Sequence, residues 1–138
     1  MIKGYTAGVY DLFHIGHLNL LKNAKAKCDY LIVGITTDEL VKYKGKSPVI
    51  TLEERMQIVE AIKYVDEVVV QDDLDKVKAW DKYHYDILFV GDDWKGTDKW
   101  NQYELQLNEK GAKVCYLPYT KKTSSTLLTK ALNEIANK

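Results

Sequence analysis

The chain has 138 residues, of which 46% are apolar, and its twenty basic side chains balance its twenty acidic ones. This length suits one buried core, so we expect a single domain over residues 1–138. A formal net charge of zero at pH 7 gives no overall field that would attract a nucleic acid or an anionic membrane. The two cysteines lack metal-ligand spacing, and the sequence shows neither a signal-peptide pattern nor a long apolar run. We therefore expect a cytoplasmic protein with reduced cysteines.

Short apolar runs alternate with amphipathic helical patterns along the chain. Apolar runs without strict polar alternation are typical of strands that are covered on both faces. The predicted strands are, in chain order, Lys3–Val9, Tyr30–Ile35, Val65–Val70, Ile87–Val90 and Lys113–Leu117. Five strands that alternate with helices indicate an α/β fold, with a parallel sheet and helices on both faces.

The helical patterns fall between these runs. The first two span His17–Lys27 and Thr51–Lys63, and the second begins with a capping pattern of Thr51 and Glu54. A third helix is marked by Leu74, Val77 and Trp80, and a last one by Leu128, Leu132 and Ile135 with Ser124 or Ser125 as its cap. Parallel sheets bind ligands beyond the carboxyl ends of their strands, so we expect functional residues directly after the strands.

The segment after the first predicted strand, GVYDLFHIGH, carries the clearest chemical signal. His14 and His17 lie three residues apart at a helix start, and Gly16 between them opens the backbone to a ligand. Free amide groups and the positive end of the helix dipole favour phosphate there. The pattern favours phosphoryl or nucleotidyl transfer, and the alternatives are a zinc pair or two surface histidines.

Three further segments extend this pattern: KYVDEV at 63–68, GDDW at 91–94 and YTKKTSST at 119–126. With the first segment they make the sequence resemble the cytidylyltransferase branch of the HxGH nucleotidyltransferases, and most of all its glycerol-3-phosphate members. The resemblance spans nearly the whole chain. It implies a Rossmann-like, doubly wound five-stranded parallel sheet.

The resemblance assigns catalysis to His14 and His17, which would bind the triphosphate and stabilise the transition state of a direct in-line attack. It places the surrounding residues of the same loop at the nucleotide, namely Gly8, Val9, Tyr10, Asp11 and Gly16. Asp11 would organise the loop or bind a metal. Mg²⁺ is the expected cofactor, because the metal offsets triphosphate charge in such reactions.

Basic residues supply the next set of expected contacts. Lys46 resembles a family lysine that acts in catalysis, and Lys44 one that binds the nucleotide; a solvated lysine loop is the alternative for both. Arg55 resembles a residue near the substrate, with an exposed helix arginine as the alternative. Lys63 stands where the family has arginine, so it would supply charge to the nucleotide without the two-pronged bond that arginine makes.

The last two segments complete the expected site. The resemblance puts Asp93 at the nucleotide and Trp94 near the base or substrate, whereas a polar turn with an anchoring tryptophan is the alternative. Hydroxyl groups at the start of the last helix would hold the nucleotide, and these belong to Thr120, Ser124, Ser125 and Thr126. Tyr119 replaces a family arginine and would lie at the substrate.

The leading hypothesis is therefore an enzyme that joins CMP from CTP to a small phosphorylated alcohol, with glycerol 3-phosphate as the first guess. Glycerol 2-phosphate, ribitol phosphate and phosphocholine stay open as acceptors. A second hypothesis is adenylyl transfer, as in other branches of the superfamily, and a third is a nucleotide-binding module without catalysis. The family also implies a homodimer and products used for teichoic acid, capsule or lipid.

Overall fold

The computed structural model describes residues 1–43, 47–118 and 125–136. Its strands are β1 (Lys3–Gly8), β2 (Tyr30–Thr36), β3 (Glu67–Gln71), β4 (Ile87–Gly91) and β5 (Lys113–Leu117). Its helices are α1 (Ile15–Lys25), α2 (Asp38–Tyr43), α3 (Leu52–Glu60), α4 (Lys76–Tyr83), α5 (Asp98–Glu109) and α6 (Ser125–Ala136). A short 3₁₀ turn, Asp92–Trp94, follows β4.

The sheet has the strand order β3-β2-β1-β4-β5, and each neighbouring pair is parallel. From β1 the chain first adds β2 and β3 on one side of the sheet and then β4 and β5 on the other side. The strand order therefore reverses between the neighbouring strands β1 and β4. This arrangement confirms the doubly wound parallel fold expected from the sequence. The reversal point predicts the ligand site at the carboxyl ends of β1 and β4.

Two apolar cores cover the two faces of the sheet. One core joins α1 and α3 to the sheet, and its fully buried members include Leu21, Leu31, Val33 and Val59. The other core joins α4 and α5 to the opposite face, and it includes Tyr5, Tyr85, Leu88 and Leu107. Because both faces are covered, the central strands are apolar on both sides, as their sequences indicated.

Several element bounds differ from the sequence-based expectation. α1 begins at Ile15 rather than His17, and α3 ends at Glu60 rather than Lys63. α2 and α5 were not predicted as helices. None of the helices in the described part of the chain is both long enough and apolar enough to cross a membrane. The single-domain expectation stays a prediction.

Candidate active site

The loop between β1 and α1 leaves the sheet through an unusual backbone. Tyr10 and Leu12 both adopt left-handed conformations, with φ of 54° and 49°. Residues other than glycine rarely adopt this backbone conformation, so surrounding contacts must hold the loop in place. Gly8 helps to make room for it, because a Cβ there would lie 3.1 Å from the Tyr10 ring.

The two histidines of this loop form the cap of α1. His14 is the N-cap residue, and its Nδ1 accepts a hydrogen bond from the backbone N–H of Gly16 at 3.0 Å. The backbone N–H of His14 in turn donates to Nδ1 of His17 at 3.2 Å. The two rings stack with their centroids 4.0 Å apart. The structure thus brings together the two residues that the sequence singled out.

This reciprocal cap determines which ring nitrogens carry protons. Each Nδ1 accepts a hydrogen bond, so in a neutral ring the proton sits on Nε2. His14 and His17 therefore present two Nε2–H donors. The N–H of Gly16 is already used by His14, so Gly16 contributes to the cap rather than offering a free amide to a phosphate.

Burial keeps these imidazoles neutral. It lowers the pKa of His14 below its usual value. Burial, and after it the nearby His14, lowers the pKa of His17 to about 4, although Asp11 opposes both effects. The ring of His17 lies against Tyr10 and Phe13, with centroid distances of 5.3 and 5.2 Å, which accounts for much of that burial. At neutral pH the pair acts as hydrogen-bond donors and not as cations.

Asp11 organises the loop, which is one of the two roles expected for it. Its two carboxylate oxygens accept the backbone N–H groups of Val49 and Ile50, at 2.8 and 2.9 Å, and its side chain is buried. Both oxygens are thus engaged with the chain itself. The described residues contain no group of three or more His, Cys, Asp or Glu that could hold a metal. The donor set fits a Mg²⁺ ion that arrives on the triphosphate better than one held by Asp11.

Arg55 has a different place from the expected substrate contact. It has no exposed surface. Its guanidinium donates to the carbonyl oxygens of Ile50, Val9 and Thr36 at 2.9, 2.7 and 2.8 Å, and it pairs with the carboxylate of Asp38. The side chain is enclosed by the chain itself, because its hydrogen bonds run to three backbone carbonyls and one carboxylate, so this geometry does not support the expected substrate contact.

Sequence reasoning missed three polar residues at the carboxyl ends of β2 and of its outer neighbour β3. Thr36 and Gln71 are both buried, and the Gln71 amide donates to the Thr36 hydroxyl at 2.9 Å. Gln71 also accepts a bond from Lys76 at 3.1 Å. Asp38 follows β2 and pairs with Arg55. The signal was present in the sequence, because each of these polar residues stops or follows an apolar strand at the edge where ligands bind.

The structure does not bring Lys63 to the histidines of its own chain. Lys63 follows α3 and precedes β3, so it lies at the amino ends of the parallel strands, the opposite edge of the sheet. Its ammonium group lies 5.2 Å from the centre of the Tyr64 ring. Within one chain this position does not support the expectation that Lys63 binds the nucleotide, and that expectation stays a prediction. The physical reason is the direction of α3, which carries the chain away from the carboxyl edge.

The GDDW segment lies where the expectation placed it, at the carboxyl end of β4 beside β1. Trp94 is half exposed, and its ring centre lies 6.5 Å from that of Trp100. Asp93 is exposed and folds back over Gly91, where an added Cβ would lie 2.7 Å from its Oδ1. Both side chains are therefore accessible at the edge that carries the histidines.

Several expected residues lie outside the described ones. They are Lys44, Lys46, Tyr119, Thr120 and Ser124. Ser125 and Thr126 begin α6, but their side chains are not described. Their roles stay predictions from the resemblance.

A doubly wound parallel sheet whose first carboxyl-end loop presents two imidazole donors at a helix start has the architecture of a nucleotidyltransferase. Comparison with known proteins agrees. A family model described as cytidylyltransferase-like matches residues 5–131. The chain belongs to this cytidylyltransferase-like family, and it is a nucleotidyltransferase enzyme.

Individual relatives span most of the chain. A glycerol-3-phosphate cytidylyltransferase of Bacillus spizizenii is 38% identical, over 94% of this chain and 96% of the relative. An FAD synthase of Thermococcus kodakarensis is 32% identical, over 97% of this chain and 91% of the relative. Among solved structures, a lipopolysaccharide core biosynthesis protein of Thermoplasma volcanium has a TM-score of 0.74 at 27% identity, covering 89% of this chain and 99% of its own.

Proposed function

We propose that this enzyme transfers CMP from CTP to glycerol 3-phosphate and releases CDP-glycerol and pyrophosphate. The observation that carries the proposal is the stacked pair of imidazoles, whose Nδ1 atoms are engaged in the helix cap, so that Nε2–H is the donor each ring offers to a phosphate. The full-length similarity to a glycerol-3-phosphate cytidylyltransferase supports the choice of both substrates.

The reaction needs little covalent chemistry from the protein. A phosphate oxygen of the acceptor attacks the α-phosphorus, the bond to the β-phosphate oxygen breaks, and pyrophosphate leaves with the electron pair. Negative charge accumulates on the α-phosphate oxygens during this step. The Nε2–H donors of His14 and His17 would meet those oxygens, and neutral rings need no proton transfer to do so. Mg²⁺ would come bound to the triphosphate and offset its charge.

The other expected contacts extend the proposal to the rest of the same edge. Lys44 and Lys46 would meet the triphosphate, and Asp93 and Trp94 would border the nucleotide and the acceptor. The hydroxyls of the last signature would hold phosphate at the start of α6. These assignments follow the family resemblance.

Adenylyl transfer is the second candidate function. The full-length similarity to an FAD synthase favours it specifically. The KYVDEV and GDDW segments favour the cytidylyl branch instead, so the first proposal keeps precedence. The two candidates differ in the base of the nucleotide and in the acceptor.

A matrix of nucleotides and acceptors tests these proposals together. The purified chain is incubated with CTP or ATP and Mg²⁺, against glycerol 3-phosphate, glycerol 2-phosphate, ribitol phosphate, phosphocholine and FMN, and products are identified by mass. We expect CDP-glycerol from CTP and glycerol 3-phosphate at the highest rate. Turnover with ATP alone would replace the first proposal with the second, and CTP binding without any product would favour a non-catalytic module.

Assembly and location are further parts of the proposal. β3 is an edge strand of the described sheet, and Val70 on it is exposed, which supports pairing with a second copy in a homodimer. Both cysteines are free thiols in the described residues, which supports a reducing, cytoplasmic location. CDP-glycerol made there would serve as an activated building block for teichoic acid or capsule.

A further inference from the structure

The composition of the chain contains one anomaly that the structure explains. The chain has nineteen lysines and a single arginine, Arg55. At positions 63 and 119, where the family resemblance expects arginine, this chain has lysine and tyrosine. The one arginine that it keeps is the fully buried one. Something at position 55 therefore requires arginine and not merely positive charge.

The contacts of Arg55 show what that requirement is. Its guanidinium meets oxygens from four separate points of the chain, as described above. Arginine offers five donors in one plane and stays charged when buried. Lysine offers three donors on one nitrogen, and burial favours its uncharged form. Lysine could therefore satisfy only part of this set.

The segments that Arg55 joins are those that set the histidines in place. The Val9 carbonyl directly precedes the left-handed Tyr10, and the Thr36 carbonyl ends the neighbouring strand β2. The Ile50 carbonyl accepts from Arg55, while the Ile50 N–H donates to Asp11. The histidine loop and the start of α3 are thus tied together in both directions.

We propose that Arg55 is a positioning residue for nucleotidyl transfer: it fixes the β1–α1 loop so that the two Nε2–H donors of His14 and His17 face one phosphate. Its charge is balanced by Asp38, which also accepts a bond from the N–H of Leu52 at 3.3 Å. The activity part of this inference rests on the proposed function. The geometric part does not.

Arg55→Lys tests the inference against a matched control on the same helix. Val59→Ala removes fully buried volume from the same helix but none of the hydrogen bonds that tie α3 to the loop, so it lowers stability while those bonds stay in place. Both variants are first compared by urea unfolding and circular dichroism. Kinetics follow under conditions in which each is folded.

We expect Arg55→Lys to lower kcat by about 100-fold, because small misplacements of catalytic groups cost that much, with much smaller changes in KM. Val59→Ala should keep kcat within about threefold of the starting protein at equal folded fraction. Equal kcat losses in the two variants would reduce Arg55 to a purely structural role and overturn the inference.

Nitrogen NMR of the imidazoles gives a readout that needs no substrate. In the starting protein and in Val59→Ala, both rings should show protonated Nε2 and unprotonated Nδ1. Arg55→Lys should show mixed tautomers, since the cap that selects Nε2–H is released. Unchanged tautomers in Arg55→Lys would overturn the geometric part, even if the chain proved to use other substrates.

Asp38→Asn provides a second variant in case Arg55→Lys does not fold. It keeps the shape and an acceptor oxygen but removes the charge partner of Arg55. We expect a kcat loss of about tenfold and partial tautomer mixing, because the three carbonyl bonds remain. An Asp38→Asn variant with unaltered kcat and tautomers would contradict the inference.

Discussion

The two edges of the sheet use the same bond for different purposes. At the amino edge, aspartates accept backbone N–H groups where strands begin, at 2.7 to 2.8 Å. The pairs are Asp29 with Ile2, Asp66 with Leu31, and Asp86 with Lys3. At the carboxyl edge, Asp11 does the same for Val49 and Ile50.

The difference lies in burial and in what the bonds join. The amino-edge carboxylates are at the surface and stabilise the starts of strands. Asp11 and Arg55 are buried, and their bonds join loops around two left-handed residues. Buried polar networks are costly unless every group is satisfied, and when satisfied they fix one geometry. The comparison teaches that one edge is built for stability and the other for placing two imidazoles.

The largest expected effect comes from removing either imidazole while keeping the helix cap. His14→Ser retains an N-cap acceptor, and His17→Gln retains a capping-box partner, so α1 should stay folded. Each loses an Nε2–H donor to the transition state, which should cost about 3 kcal/mol, or a kcat loss of at least about 100-fold. Steady-state pyrophosphate release measures it. A variant with kcat within threefold of the starting protein would remove that histidine from the mechanism.

The next largest effect compares the loss of an aspartate charge at the carboxyl edge of the sheet with the same loss at the amino edge. Asp11→Asn breaks one of two charge-assisted bonds and should cost about 1–3 kcal/mol of stability, with a kcat loss of about tenfold because the histidine loop shifts.

Asp66→Asn is its amino-edge control. Burial acts to raise the pKa of Asp66, but its bonds to Lys25 and to the Leu31 N–H outweigh that effect and lower it. Losing them should cost about 1 kcal/mol of stability. kcat should not change. Urea unfolding and kinetics on both variants check the pair, and parallel kcat losses would remove the distinction between the edges.

A smaller effect concerns pH. The pKa of His17 is about 4 in the folded chain and near its usual 6.5 in the unfolded one. The unfolded chain therefore takes up a proton first as the pH falls. The stability that His17 contributes is complete above pH 6.5 and is lost as the pH falls from about 6.5 to about 4, by up to about 1.4 kcal/mol per unit.

Urea unfolding between pH 7.5 and 4.5 measures this dependence, and His17→Gln is its control. The starting protein should lose more stability over that range than the variant does. Identical pH dependence in the two would show that the His17 ring titrates normally and is not held neutral by burial.

The sequence was sufficient to predict the fold and the position of the two histidines at a helix start, because both depend on local signals. Apolar runs mark covered strands, and the HxGH pattern sits at a strand-to-helix junction that any parallel sheet places at its ligand edge. α5 was missed although Trp100, Tyr103 and Leu107 recur at helical spacing and Thr97 caps its start. The signal for this helix is therefore present in the sequence.

The place of Arg55 could not be read in the same way. Nothing local distinguishes a buried arginine from an exposed one on a helix, because its acceptors come from residues far along the chain. Burial of a charge depends on tertiary packing, which periodicity does not contain. The residue count gave a clue, since a chain that otherwise uses lysine kept one arginine.

Lys63 gives the last test of the two edges, because it belongs to a family signature but lies at the amino edge of the sheet. Its expected effect in one chain is the smallest. Lys63→Met should keep kcat and both KM values within about twofold, since exposed charges far from a site interact weakly with it. A large rise in the KM for CTP would mean that a second copy carries Lys63 to the histidines of its neighbour. In that case the change in KM should depend on protein concentration. Sedimentation of the starting protein and of Lys63→Met would then show a dimer.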